Sequence, residues 1–183
     1  MEQSLHIRGV LLPDGQERDL FVRDGRITFQ AADDARTILD RGYVIPGLVD
    51  AHAHLPLAGP APDGTWEEKA RANARAHLDA GVLVVRDPGG PTPREIGPEE
   101  GSPRSSARGS RSRSPLGATS WEARSFLGLL GLEGGGLAAL VACDRNPLED
   151  PAELANPTLI VLDGRVIRSP SQRAAKGREV VDA

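Results

Sequence analysis

The sequence predicts an α/β protein in which a small β-domain is assembled from both ends of the chain, with an α/β unit between them. Three observations predict it. Val22-Arg23-Asp24-Gly25-Arg26-Ile27 near the start is echoed by Val161-Leu162-Asp163-Gly164-Arg165-Val166 near the end. Asp-Gly between β-prone runs is a strong hairpin signal, because both turn positions take positive φ. Residues 48–85 read strand, helix, strand, the opening of a parallel α/β unit. Finally, hydrophobic patterning collapses between residues 98 and 117 into Ser, Arg, Gly and Pro, a composition that cannot build a core.

The elements follow in order. Leu5, Ile7 and Val10-Leu11-Leu12 form a first strand, stopped by Pro13-Asp14-Gly15. Leu20-Phe21-Val22 and then Ile27 and Phe29 flank the first Asp-Gly turn. Thr37-Ile38-Leu39 and Tyr43-Val44-Ile45 are further strands, the second halted by Pro46-Gly47. Leu48 to His54 reads as one continuous strand. From Trp66 to Ala80, Ala70, Ala74, His77 and Leu78 recur at helical spacing and Gly81 supplies the stop. Val82 to Val85 is an apolar run of the kind a buried parallel strand shows. Beyond the gap, Ala118 to Leu127 reads as an amphipathic helix with a Thr or Ser cap. Leu137 to Ala142 and Thr158 to Leu162 are strand-like, and Asp163-Gly164 turns the chain into Val166-Ile167.

Composition narrows the function classes. The net charge of −4 gives no positive field to attract nucleic acid or an anionic membrane. A single cysteine, Cys143, excludes an internal disulfide framework and a Cys-rich zinc module, and reads as a small buried hydrophobe in a reducing compartment. Residues 1–12 lack a basic start followed by an apolar run, and no apolar stretch is long enough to span a bilayer. The expectation is a soluble cytoplasmic protein. The arginines at 104, 108, 111 and 113 alternate with serines without aromatic partners for base stacking, which favours a disordered connector over a nucleic-acid arm.

The candidate chemistry is concentrated in Asp50-Ala51-His52-Ala53-His54. On a strand the period of two turns both imidazoles to one face, where they can converge on a cation at about 2.0–2.1 Å, the usual zinc distance. Asp50 shares that face one pleat earlier and is the weaker ligand candidate. His77 on the predicted helix reads as a surface or core-edge residue, and His6 belongs to the β-domain.

Tyr43-Val44-Ile45-Pro46-Gly47-Leu48-Val49-Asp50-Ala51-His52-Ala53-His54 closely resembles the signature of the amidohydrolase superfamily, especially its imidazolonepropionase-like and prolidase-like branches. The hairpin at residues 22–27, the run Gly81 to Asp87, the helix at 118–129 and the hairpin at 159–167 are similar to that family as well. The resemblance implies a β-sandwich contributed by both termini, flanking a metal-bearing (β/α)8 barrel. It implies hydrolysis of a C–N bond in a non-peptide amide, lactam or Xaa-Pro dipeptide, a small-molecule amide substrate, and a divalent cation, zinc by the resemblance, held by His52 and His54.

On that plan residues 1–47 are the N-terminal part of the sandwich and 48–97 the start of the barrel. Residues 98–117 are a disordered connector, 118–136 the last barrel helix and loop, 137–168 the rest of the sandwich, and 169–183 a flexible tail. A (β/α)8 barrel typically takes about 250 residues, whereas about sixty separate His54 from Ala118. The chain therefore carries a fragment of the barrel: its first one to two βα units and its last helix. The family's carboxylated lysine or glutamate, its two later histidines and its aspartate base have no counterpart, since Lys69 and Lys176 lie outside strands and the family's Ala-Asp-Leu-Val stands here as Ala138-Ala139-Leu140-Val141. No catalytic residue is identifiable beyond the metal ligands. The expectation is weak metal binding, little or no activity, and self-association through exposed barrel strands. The alternatives are a non-catalytic β-sandwich remnant and an Arg/Ser-rich binding protein.

Overall fold

A computed structural model describes residues 3–55, 57, 64–86, 104–105 and 131–170. The helix expected at 118–127 lies outside the described residues, as do all of the connector except 104–105 and all of the tail except 169–170. The described chain is mixed α/β and divides into two units, Met1–Gly47 with Leu130–Ala183, and Leu48–Leu129.

In the first unit, β1 (Leu5–Leu11) alternates buried and more exposed positions, which places Leu5, Ile7 and Leu11 on one inward face. It pairs antiparallel with β2 (Gln16–Arg23), which turns through Asp24-Gly25 into β3 (Arg26–Thr28). The turn has the expected chemistry, with φ of 49° at Asp24 and 72° at Gly25. The other edge of β1 serves two parallel partners in succession. Its first half takes β4 (Arg36–Leu39) and its end takes β5 (Tyr43–Pro46), through Val10↔Tyr43 and Leu11↔Val44. Gly9 is required at that junction, since a Cβ there would lie 2.6 Å from the Gly42 carbonyl oxygen.

The two ends of the chain meet in this unit. After the second unit's strands β6 (Leu48–Asp50), β7 (Val82–Val85) and β8 (Arg104–Ser105), the chain returns as β9 (Leu140–Cys143), antiparallel to β5 from Tyr43↔Cys143 to Pro46↔Leu140. β10 (Leu159–Leu162) pairs with β9, and β11 (Arg165–Arg168) folds back on β10 through Asp163-Gly164, at φ 53° and 82°. A short 3-10 helix, Pro151–Ala155, connects β9 to β10. Every residue of β9 and β10 is buried, matching their continuous rather than alternating apolar sequence.

Hydrogen bonding makes one continuous eight-stranded sheet here, in the order β11-β10-β9-β5-β1-β2-β3 with β4 on β1, where the sandwich expectation has two sheets. The two ends of this sheet approach each other. Its two end turns touch: Ala138 N–H donates to the Gly25 carbonyl at 2.8 Å, Gly164 N–H donates to the Ala138 carbonyl at 3.2 Å, and Gly25 lies against Asp163. The inward faces therefore pool into one core containing Ile7, Leu20, Ile27, Val44, Leu140, Leu159 and Val161.

In the second unit, α1 (Trp66–Asp79) joins the parallel strands β6 and β7. Its start is a capping box. Thr65 Oγ1 accepts from Glu68 N–H at 3.2 Å, and Glu68 Oε2 accepts from Thr65 N–H at 2.8 Å. The Thr65 backbone N–H, and then its side chain, hold the Glu68 carboxyl below the ordinary carboxylate range. Ala70 and Ala74 pack with Leu55 and Val85, and small side chains there let helix and strand approach closely.

Two expectations change in this unit. β8 pairs in parallel with β7, so Arg104–Ser105 are strand rather than connector, and β7 has neighbours on both edges. Ladder pairing is a backbone property, so a polar dipeptide can fill the edge of an apolar strand. The strand read over 48–54 ends at Asp50.

Candidate metal centre

The end of β6 is decided by its last side chain. Asp50 Oδ1 accepts the backbone N–H of His52 at 2.9 Å, the local turn by which an aspartate diverts a backbone donor from a sheet ladder. The ladder shows the diversion. Arg86 N–H donates to the Asp50 carbonyl at 2.8 Å, and a regular parallel register would next have His52 N–H donating to the Arg86 carbonyl. Ala53 N–H makes that bond instead, at 3.1 Å. The chain thus slips by one residue where the two candidate ligands sit. Their shared side of the chain follows from a turn, and the alternation expected of a strand is not its cause.

The turn nevertheless brings the rings together. The centroids of His52 and His54 are 5.2 Å apart with the planes at 85°. Two imidazoles sharing one tetrahedral zinc at about 2.0–2.1 Å would have centroids roughly 5 Å apart, so the pair fits as two ligands of one cation. His52 is exposed and His54 half-buried. Among the described residues no group of three or more His, Cys, Asp or Glu side chains could hold a metal ion. The pair is therefore a partial ligand set.

Asp50, the weaker ligand candidate, has both oxygens engaged. Oδ2 lies 3.2 Å from Nε2 of His77, and the two side chains keep 34% and 26% of their exposure. Nδ1 of His77 lies 2.8 Å from the Asn73 carbonyl one turn back on α1. A carbonyl and a carboxylate both only accept, so both contacts are hydrogen bonds when the ring carries two protons. His77 is thus half-buried at the core edge, as the sequence reading has it, and it also joins a polar network. Nothing local signals this, because its partner is 27 positions away. Arg86 is 5% exposed and donates to the Ala51 carbonyl at 3.3 Å, bracing the same turn. A signal was present for the capping box, in Thr65 with Glu68 three residues on, at the start of the helix.

The remaining candidates lie elsewhere. His6 is in the first unit, held between Thr37 Oγ1 at 2.9 Å and Asp19 Oδ1 at 2.8 Å and stacked on Phe21. Cys143 is buried on β9, its Sγ donating to the Glu153 carbonyl at 3.7 Å. Lys69 is on α1 and Lys176 lies outside the described residues. No helix among the described residues is long and apolar enough to cross a membrane.

No family model matches the chain. Uncharacterised proteins of Mycobacterium bovis and Mycobacterium tuberculosis are 43% identical to it over 89 residues, which is 48% of this chain and 23% of theirs. The chain spans under a quarter of the length of these curated relatives, 23%. Among solved structures it is similar to an amidohydrolase, at 26% identity and TM-score 0.43 over 56% of this chain and 30% of that one. It is also similar to a prolidase complexed with N-methylphosphonate-L-proline, at 20% identity and TM-score 0.35 over 47% of this chain and 25% of that one. What the site can do follows from its own side chains.

Proposed function

We propose that the chain is built on the plan of a metal-dependent amidohydrolase, with His52 and His54 as two ligands of a divalent cation, zinc by the resemblance. The reaction of that plan is hydrolysis of a C–N bond in a small-molecule amide, lactam or Xaa-Pro dipeptide. The observation that supports it most is the pair of imidazoles 5.2 Å apart directly after β6, inside the run Tyr43 to His54. When bound, such a cation lowers the pKa of its water and polarises the scissile carbonyl.

The chain's own residues set the limits. His52 and His54 supply imidazole nitrogens, and Asp50, committed to His52 N–H and His77, shapes the turn instead of ligating. A catalytic zinc site uses three protein ligands and an open position. The family's later histidines and aspartate base have no counterpart in the sequence, and loss of a general base alone costs about 10²–10⁴-fold. This chain by itself therefore captures metal modestly and turns over little.

The test compares the full chain with a His52→Ala/His54→Ala variant by equilibrium dialysis against zinc, and assays both with zinc or manganese on N-acyl amino acids, lactams and Xaa-Pro dipeptides. Metal retained by the parent alone, with neither protein active, is the expected result. Equal retention by both proteins would remove the histidines as ligands. Metal-dependent turnover confined to the parent would overturn the inactivity.

A further inference from the structure

We propose that Asn73 and His77, one turn apart on α1, are positioning residues that clamp the His52-Ala53-His54 segment from both sides; the inference rests on the metal reading above. His77 reaches the residue on the N-terminal side of the segment, its Nε2 3.2 Å from Asp50 Oδ2. Asn73 reaches the residue on the C-terminal side, its Nδ2 donating to the Leu55 carbonyl. The two are four apart in sequence and so lie on one helix face. They are also joined to each other, because the Asn73 carbonyl accepts from His77 Nδ1 at 2.8 Å.

The consequence for the ligands is geometric. The Asp50 carboxylate can hold the His52 N–H at 2.9 Å only while its plane is fixed, and His77 fixes the oxygen that His52 does not use. Leu55 is 3% exposed and packs on Ala70 and Ala74, so the far end of the segment is anchored to the same helix. A short turn carrying two ligands is thus pinned at both ends to one rigid element. Pinning of this kind holds ligands at a fixed separation before metal arrives.

The experiment uses the full chain, its His77→Ala, His77→Gln and Asn73→Ala variants, and Co²⁺ alone as the probe. His77→Gln keeps a donor facing Asp50. Affinity is read from the cobalt visible spectrum, and the exchange rate of the His52 backbone amide is followed without metal. Outer-shell partners of ligands typically contribute about 10- to 100-fold in metal affinity. The expectation is a loss of about that size in His77→Ala and Asn73→Ala, recovery within severalfold in His77→Gln, and faster His52 exchange in His77→Ala than in the parent. Unchanged cobalt affinity and unchanged His52 exchange in His77→Ala would overturn the clamp while leaving the ligands intact. A parent that binds no cobalt would overturn the metal reading, and with it the positioning role, even where His52 exchange still responds.

Discussion

Replacing Gly164 by alanine tests whether the two ends of the eight-stranded sheet meet through their turns. The substitution adds one Cβ at φ 82°, and that atom would stand 2.7 Å from Gly25 Cα and 3.1 Å from Gly25 N. Two costs combine. A non-glycine residue in the left-handed region costs roughly 1–2 kcal/mol. Forcing an atom into occupied space costs typically about 1–3 kcal/mol, here with backbone on the other side, which cannot rotate away as a side chain would. The expected destabilisation is about 3.5 kcal/mol, the sum of the middle values. Gly15 separates the two terms, since it has φ 70° in the β1–β2 turn and a Cβ added there would meet nothing within 4 Å. Gly15→Ala should therefore cost only the conformational part, about 1–2 kcal/mol. Urea unfolding with linear extrapolation measures both variants against the parent. If Gly164→Ala is no more destabilising than Gly15→Ala, the turns do not touch in solution and the ends of the sheet do not meet.

Further outcomes follow from other sites. Leu140→Ala removes a fully buried side chain from β9, beside the seam with β5, and should cost about 2–5 kcal/mol in the same urea experiment; a loss below about 1 kcal/mol would contradict that burial. The Glu68 carboxyl titrates below its ordinary value in the fold, so its contribution to α1 is complete above the ordinary carboxylate pKa and is lost as pH falls through the lowered value. Helical circular dichroism should then fall on acidification with a component missing from Glu68→Gln, and identical acid profiles would dismiss the capping box. Thr65→Ala, which removes the other half of the box at neutral pH, should lower stability by about 1 kcal/mol in urea unfolding. Cys143, 1% exposed, should react with a thiol reagent only on unfolding, and rapid labelling of the native chain would place it at the surface.

What the sequence determined by itself is local. Asp24-Gly25 and Asp163-Gly164 carry their conformations in two residues, and both turns have the positive φ values that Asp-Gly prescribes. The helix was legible from Ala70, Ala74 and Leu78 at helical spacing with Gly81 after them, and it spans Trp66–Asp79. The apolar run Val82–Val85 announced a buried parallel strand. Tertiary structure decided what depends on partners distant in the chain. The pairing of β5 with β9 joins residues about a hundred positions apart, and no pattern in either strand names the other. Two strands sharing one edge of β1 join both parts of the chain in a single hydrogen-bonded sheet, and Gly9 reveals its role only through Gly42. The strand drawn through His54 stops at Asp50 because a carboxylate competes for the His52 N–H, and that carboxylate is held by a histidine on a helix the alternation pattern could not see. Periodicity records which face of an element is apolar, whereas a hydrogen-bonded side chain overrides periodicity wherever its partner happens to be folded against it.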